Sequence, residues 1–94
     1  MKFLVVSHRG SAPIPADQRA ENERQWGLWM GLLNEQVGLR AQGGKTISSD
    51  GIGAYMRDSA GISIIDAPSL DEAVERVKAC PGLPYGWAFD VLSE

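Results

Sequence analysis

Cysteine, histidine and long apolar runs are scarce in this chain of 94 residues. The only cysteine, Cys80, cannot form an intramolecular disulfide, so no covalent bond staples the fold. One histidine and one cysteine cannot build a usual zinc site, and no glycine-rich phosphate loop is present, so we predict neither a metal nor a cofactor. No segment reaches the roughly 20 apolar residues that span a bilayer, and the apolar run near Met1 is too short for a secretory signal. The sequence therefore predicts a cytoplasmic protein without membrane contact.

Positive charge is also in deficit. Twelve acidic residues face nine basic ones, which gives a formal net charge of −3, and the basic residues are scattered along the chain. Because such a surface repels a phosphate backbone, nucleic-acid binding is excluded. The hydrophobic fraction of 44% is typical of a globular protein, and the length leaves room for one domain, residues 1–94.

Three segments are apolar on both of their alternating faces, which is typical of strands inside a sheet: Lys2–Ser7, Gly61–Asp66 and Trp87–Leu92. A shorter strand is predicted at Lys45–Ser49, before the tight-turn dipeptide Asp50-Gly51. An irregular segment through Tyr55, Met56 and Arg57 follows it.

Two helices are predicted between these strands. The first runs from about Ala16 to Val37 and ends at Gly38, and one face carries an apolar stripe of Trp26, Trp29, Met30, Leu33 and Val37. The second begins at a capping box, in which the hydroxyl of Ser69 accepts a hydrogen bond from the backbone N–H of Glu72.

The resulting order, β-α-β-β-α-β, is typical of an α+β ferredoxin-like fold, an antiparallel sheet with two helices on one face. Two helices cover one face only, whereas the strands are apolar on both. An uncovered apolar face is an association site, and removing about 600 Å² of it from water is worth on the order of 15 kcal/mol before the costs of association. The sequence therefore predicts a homodimer.

Several segments resemble the YCII-related proteins: Gly44–Gly51, Ile64–Val74, Lys78–Pro81, Phe89–Leu92 and the long tryptophan-bearing helix. The resemblance covers nearly the whole chain. It implies a dimeric α/β barrel, in which the open sheet faces of two ferredoxin-like subunits pack together. It also implies a small bacterial cytosolic protein of a family mostly without an established reaction, some members of which are associated with extracytoplasmic-function sigma factors.

Two departures from that family concern its functional residues. Many members carry an Asp-Gly-Pro-Phe motif between the second and third strands, where this chain has residues 52–60 without that motif. Another branch has a histidine on the first helix that is proposed to act with an aspartate, and the first helix here has no histidine. Neither set of residues carries over to this chain.

His8 is the candidate acid–base residue because it is the only histidine. We place the first and third strands as parallel neighbours, which would bring their C-terminal ends together and put Asp66 beside His8. A carboxylate that orients an imidazole and raises its pKa makes a reasonable catalytic pair. The alternative is that His8 is a surface loop residue and Asp66 a solvated acid.

Trp29 and Trp87 are the candidates to line a substrate pocket, with core or dimer contacts as the alternative. Asp90 lies within an apolar strand and must be paired or reach water. Cys80 follows a helix whose dipole opposes a thiolate, which favours a buried, inert thiol.

Three functions remain open at this point. The leading hypothesis is a protein that binds or processes an unidentified small molecule in a pocket between the sheet and the first helix of a dimeric barrel. The alternative is a non-catalytic dimeric interaction module, which the resemblance links to sigma-factor regulation. A monooxygenase acting on haem or quinone is weaker, because such enzymes need a better-equipped polar pocket. A cavity reached by His8 favours the first hypothesis, and a filled interior favours the second.

Overall fold

A four-stranded sheet with two helices packed on one of its faces forms the body of the molecule. The computed structural model describes residues 1–55 and 57–94, so the predicted irregular segment lies outside the described residues at Met56. In chain order the elements are β1 (Lys2–His8), α1 (Arg19–Leu33), β2 (Val37–Arg40), β3 (Lys45–Ser48), β4 (Gly51–Ala54), β5 (Ser59–Asp66), α2 (Leu70–Lys78) and β6 (Ala88–Ser93). Short 3-10 helices precede α1 at Ala16–Gln18 and β6 at Leu83–Tyr85.

The sheet has the strand order β2-β5-β1-β6, and each neighbouring pair is antiparallel. Its four strands and the two helices follow one another as β-α-β-β-α-β, with the β3–β4 hairpin inserted between the second and third sheet strands. This arrangement confirms the predicted α+β fold class.

The predicted parallel pairing of the first and third strands is wrong. β1 and β5 are antiparallel, with Lys2 opposite Asp66 and His8 opposite Ser59. β2 and β5 lie side by side and run in opposite directions. β1 and β2 therefore run in the same direction, and β5 is antiparallel to both of them. The C-terminal end of β1 therefore lies beside the start of β5.

The first helix is shorter than predicted, and the second sheet strand was placed too late in the chain. α1 ends because Asn34 adopts a left-handed conformation, φ 52°, which asparagine tolerates better than most residues. The chain that follows forms β2, including Val37, which was assigned to the helix. The predicted strand at Lys45–Ser49 exists as β3, but it pairs with β4 in a separate hairpin and not with the main sheet.

The β3–β4 hairpin carries an apolar cross-strand pair. Ile47 lies opposite Ile52, and these side chains are 77% and 74% exposed. A two-stranded hairpin is only marginally stable in water by itself. The pair adds apolar surface to a molecule that already exposes one face of its sheet.

The core lies between the helices and one face of the sheet. Its buried side chains come from β1, β5, both helices and the residues just after β5 and α2: Phe3, Val5, Trp29, Leu33, Ile65, Ala67, Ala73, Val77 and Cys80. The predicted cap of α2 is present, because Ser69 Oγ accepts a hydrogen bond of 3.2 Å from the N–H of Glu72. The Glu72 carboxylate lies 3.8 Å from the guanidinium of Arg76 one turn later.

The opposite face of the sheet, here called the open face, is apolar and uncovered. Side chains alternate between the two faces of a strand, so the neighbours of Phe3, Val5 and Ile65 point away from the helices. The exposed apolar side chains of the open face are Leu4, Val37, Leu39, Ile62 and Leu92. The structure thus has the uncovered face from which the sequence predicts association.

Candidate functional site

A cavity of about 240 Å³ lies between the sheet and α1. Its walls come from α1, from the sheet face below the helix, and from the segment before β6: Val5, Ser7, Trp26, Trp29, Met30, Leu33, Arg40, Ala60, Ser63, Trp87 and Phe89. All three tryptophans of the chain are in this set.

Four aromatic rings form one wall of the cavity. Trp26 meets Trp29 edge to face with 5.5 Å between ring centroids, and it meets Trp87 in the same way at 5.1 Å. Phe89 is 5.5 Å from Trp29 and stacks on Trp87 at 6.5 Å. These separations are typical of favourable aromatic pairs, so the rings support one another around the space they enclose.

The sheet row across the cavity runs from an aromatic to a cationic residue. Phe89 lies opposite Ser7, Ser7 lies opposite Gly61, and Gly61 lies opposite Arg40. Residues directly opposite one another share a sheet face, so this row faces α1. A Cβ atom at Gly61 would stand 2.5 Å from the Leu39 carbonyl oxygen and 3.2 Å from Arg40 Cδ, so the glycine lets β2 approach closely and the arginine side chain lie over the sheet.

A salt bridge fixes that arginine. Arg40 Nη2 lies 3.2 Å from Glu35 Oε1, and the hydroxyl of Ser63 donates a hydrogen bond to Glu35 Oε2. Arg40 Nη2 also comes within 3.9 Å of the sulfur of Met30 on α1. The polar end of the cavity therefore consists of Ser7, Arg40 and Ser63, with Glu35 holding the last two in place.

His8 lies outside this cavity, between two carboxylates. Its Nε2 is 2.7 Å from Asp90 Oδ2 on β6, and its Nδ1 is 3.0 Å from Asp58 Oδ1, just before β5. Hydrogen bonds to Asp90 and then Asp58 raise the pKa of His8 above its usual value of 6.5. Among the residues that the structure describes, no group of three or more His, Cys, Asp or Glu is placed to hold a metal ion.

The predicted contact between His8 and Asp66 does not form. Asp66 lies opposite Lys2, at the other end of β1, which is about 20 Å away along the strand. Its carboxylate accepts a hydrogen bond of 2.8 Å from the amino group of Met1, which lowers the pKa of Asp66. The antiparallel pairing puts Asp58, before the start of β5, where the sequence placed Asp66, and Asp90 on β6 is the second partner of His8.

The predicted site residues thus divide between two faces of one sheet. Trp29 and Trp87 lie in the cavity wall on the helix side, whereas His8 and Asp90 lie on the open face. His8 is not among the residues that line the cavity, so the structure does not join the predicted catalytic residue to the predicted pocket.

The sequence did not predict the polar residues at the end of the cavity or the Asp58 contact with His8. Arg40 and Glu35 fell in the region around the end of the predicted helix, and Asp58 fell between the predicted irregular segment and the predicted third strand. The alternation of Val37-Gly38-Leu39-Arg40 was a usable strand signal for Arg40. Nothing in the sequence pointed to Asp58, because its contact depends on how β1 and β5 pair.

Cys80 is buried, and burial raises the pKa of its thiol to about 11. Such a thiol stays protonated at neutral pH and is a poor nucleophile. No helix in the described part of the chain is long and apolar enough to cross a membrane.

No protein-family model matches this chain, and no curated protein does. Among solved structures, the chain is similar to the 5-chloro-2-hydroxyhydroquinone dehydrochlorinase TftG from Burkholderia phenoliruptrix AC1100, determined in complex with 2,5-dihydroxybenzoquinone. The match has a TM-score of 0.60 and covers 100% of this chain and 93% of TftG, at 23% sequence identity. It shows that the two chains share a fold.

Proposed function

We propose that this protein binds a small molecule with a single aromatic ring in the cavity between the sheet and α1. The observation that carries the proposal is the cavity itself: three indoles, Phe89 and Met30 surround about 240 Å³ of space. Small-molecule sites are typically concave and mostly apolar, with a few placed polar groups. The serines and Arg40 supply those polar groups here.

The size of the cavity selects the size of the ligand. An engineered apolar cavity of about 150 Å³ holds benzene, so the larger space here accepts a ring with small substituents. It is smaller than the roughly 300–1,000 Å³ of sites for drug-sized ligands. A single ring flanked by the aromatic wall fills it without a change in the fold.

The fold match adds a choice of probe. TftG is named for a reaction on a substituted hydroquinone, and its structure holds a single-ring quinone. From this likeness, at 23% identity, we propose that the chain also processes a similarly small molecule. The likeness makes 2,5-dihydroxybenzoquinone, together with toluene and phenol, the first panel to test.

The test uses the three tryptophans as reporters, because all of them line the cavity. Their indole N–H signals are followed by NMR while each member of the panel is added. We expect saturable shifts of all three signals with at least one ring. No saturable shift with any of the compounds at millimolar concentration would remove the proposal.

A filled cavity provides the matched control. Ser7→Phe places a ring in the cavity and is expected to abolish the shifts. Ser49→Phe adds the same ring in the exposed turn between β3 and β4 and should leave binding unchanged. Equal loss of binding in both variants would point to a general effect of the added phenylalanine.

A homodimer formed through the open face is the second part of the proposed function. Leu4, Ile62 and Leu92 lie on the three strands that pair through β1, and all three remain exposed in the single chain. Apolar surface of this kind, continuous across a sheet, is typical of an association site. With the predicted YCII-related membership, it gives a dimeric α/β barrel with one ligand cavity in each subunit.

Light scattering tests the dimer. The wild-type protein at micromolar concentration should have twice the mass of the chain, and Ile62→Asp, which buries a charge in the proposed interface, should have the mass of one chain. Leu32→Asp is the control, because Leu32 is also exposed but lies on α1. A monomeric wild-type protein would refute this part of the proposal.

A non-catalytic interaction module is the competing function. It predicts the same dimer but no saturable ligand, so the two experiments together separate the alternatives. The interior is not filled, which supports ligand binding, but His8 does not line the cavity, so the acid–base residue expected for a reaction there is missing from it.

A further inference from the structure

The cavity is chemically different at its two ends. Toward β6 it is closed by the rings of Trp87 and Phe89, whose only polar group is the Trp87 indole N–H. Toward β2 it contains Ser7, Ser63 and Arg40, and Ser63 is only 7% exposed. A ligand that fills the space must place one edge against hydrocarbon and the other against hydroxyl and guanidinium groups.

At the polar end of the cavity, some hydrogen-bond donors are not used by contacts within the protein. The Arg40 guanidinium has five N–H groups, and its contacts with Glu35 and with the Leu39 carbonyl do not use all of them. Ser7 donates to the Gly61 carbonyl at 3.2 Å, so the lone pairs of its hydroxyl still accept. These groups can bind an oxygen that accepts from Arg40 and donates to Ser7.

Glu35 sets the charge that this end accepts. Its carboxylate lies 3.2 and 3.3 Å from Arg40 Nη2, so it already balances the arginine charge. A carboxylate ligand would compete with Glu35 for the same guanidinium and would be repelled by it. An uncharged hydroxyl group accepts from Arg40 and donates to Ser7 without that repulsion.

We infer that the cavity selects a single aromatic ring with an uncharged hydroxyl group at one edge, and that this hydroxyl accepts from Arg40 and donates to Ser7. The inference rests on the proposed function, because it assigns the ligand class and orientation for the same cavity. Arg40 and Ser7 are then its specificity-determining residues.

Phenol and toluene form the decisive pair, since a hydroxyl replaces a methyl group of similar size. Phenol gives up more hydration than toluene on entering a cavity, so a purely apolar site prefers toluene. A site built to hydrogen-bond the hydroxyl reverses this order. We expect the wild-type protein to bind phenol about tenfold more tightly than toluene, as one hydrogen bond to a charged donor allows.

Two variants identify the groups responsible. Arg40→Met keeps a side chain of similar length but removes the donors, and Ser7→Ala removes the hydroxyl alone. Each should weaken phenol while leaving toluene within about twofold, and Arg40→Met should make toluene the tighter ligand. Arg40→Lys, which keeps a charged donor, should recover part of the phenol affinity.

The outcomes separate this inference from the proposal beneath it. Toluene binding that equals or exceeds phenol binding in the wild-type protein overturns the inference and leaves the ligand cavity intact. Benzoate as the tightest of the three ligands, or equal losses of phenol and toluene in Arg40→Met, overturns it as well. The absence of any saturable ligand overturns both.

Discussion

The two faces of the main sheet are built from the same strands and differ in how far their apolar side chains are buried. On β5, Ile65 is fully buried beneath the helices, while its neighbour Ile64 faces the other way and remains partly exposed. On β1, Phe3 is 1% exposed and Leu4 is 36% exposed. The two helices of this chain cover one face of the sheet only, and the exposed apolar residues of the other face are the basis of the proposed dimer.

The covered face is itself divided. Under α2 and the end of α1, large side chains such as Phe3, Leu33 and Ile65 fill the core. Farther along, the row from Phe89 through Ser7 and Gly61 to Arg40 has small residues at its centre, and the cavity lies there. The difference shows that the cavity exists because Ser7 and Gly61 stand where a core would have large side chains.

The largest predicted effect compares adjacent isoleucines on β5. Ile65→Ala leaves a void in the core and should lower the free energy of unfolding by about 2–5 kcal/mol. Ile64→Ala removes the same atoms from the open face and should cost clearly less in a single chain. Urea unfolding of both variants, followed by tryptophan fluorescence, measures the difference.

The same two variants can also be compared at different protein concentrations. If the open face joins two chains, the loss from Ile64→Ala changes with protein concentration, because dissociation is part of unfolding. Equal losses at both positions, independent of concentration, would contradict the distinction between the two faces.

A glycine behind the aromatic wall gives the next largest effect. A Cβ atom at Gly82 would lie 2.4 Å from Trp26 Cζ2 and 2.9 Å from Trp87 Cδ1, so Gly82→Ala must push these rings toward the cavity. Overpacking of this kind costs about 1–3 kcal/mol of stability. The same change should shift the Trp26 and Trp87 indole signals and weaken ligand binding.

Gly31→Ala is its control. Gly31 lies on α1, and nothing stands within 4 Å of the position its Cβ would take. Alanine is the better helix former, so this variant should gain up to about 1 kcal/mol. A Gly82→Ala protein as stable as the wild type would show that the wall yields without cost.

Much of the fold follows from local patterns in the sequence. The strands β1, β5 and β6 were predictable because each has apolar residues on both faces, and Ser69 marked the start of α2. β2 was missed because the apolar stripe of α1 continues in register to Val37, while the signal that ends the helix is one asparagine, Asn34. A tight turn was predicted at Asp50-Gly51; the structure has it one residue earlier, at residues 49 and 50, and Gly51 begins β4, a strand that was not predicted. No local pattern indicates that β3 pairs with β4 and not with the main sheet.

The candidate site was less predictable for the same reason. Trp29 and Trp87 stood out as aromatic residues, and the structure places both in the cavity wall. The partners of His8 depend on strand direction and register, which are fixed by contacts between residues far apart in the chain. A reversal of one strand exchanged Asp66 for Asp58 beside the histidine.

The smallest predicted effect concerns the charged end of the open face. Because the folded state raises the pKa of His8, the stabilising contribution of the protonated ring is fully present below about pH 6.5, its unfolded value, while the carboxylates stay ionised. It is lost as the pH rises through the higher folded pKa. The groups are exposed, so wild type and His8→Gln should differ by at most about 1 kcal/mol near pH 6 and converge at alkaline pH.

NMR titration of the single histidine identifies its partners directly. Asp90→Asn removes the hydrogen bond that raises the pKa most and should bring the pKa of His8 down toward 6.5, with a smaller decrease for Asp58→Asn. Asp66→Asn is the matched control, because that carboxylate sits at the far end of β1 beside the amino group of Met1. If Asp66→Asn moved the His8 pKa as much as Asp90→Asn, Asp66 would have to lie beside His8, which contradicts the antiparallel register of β1 and β5.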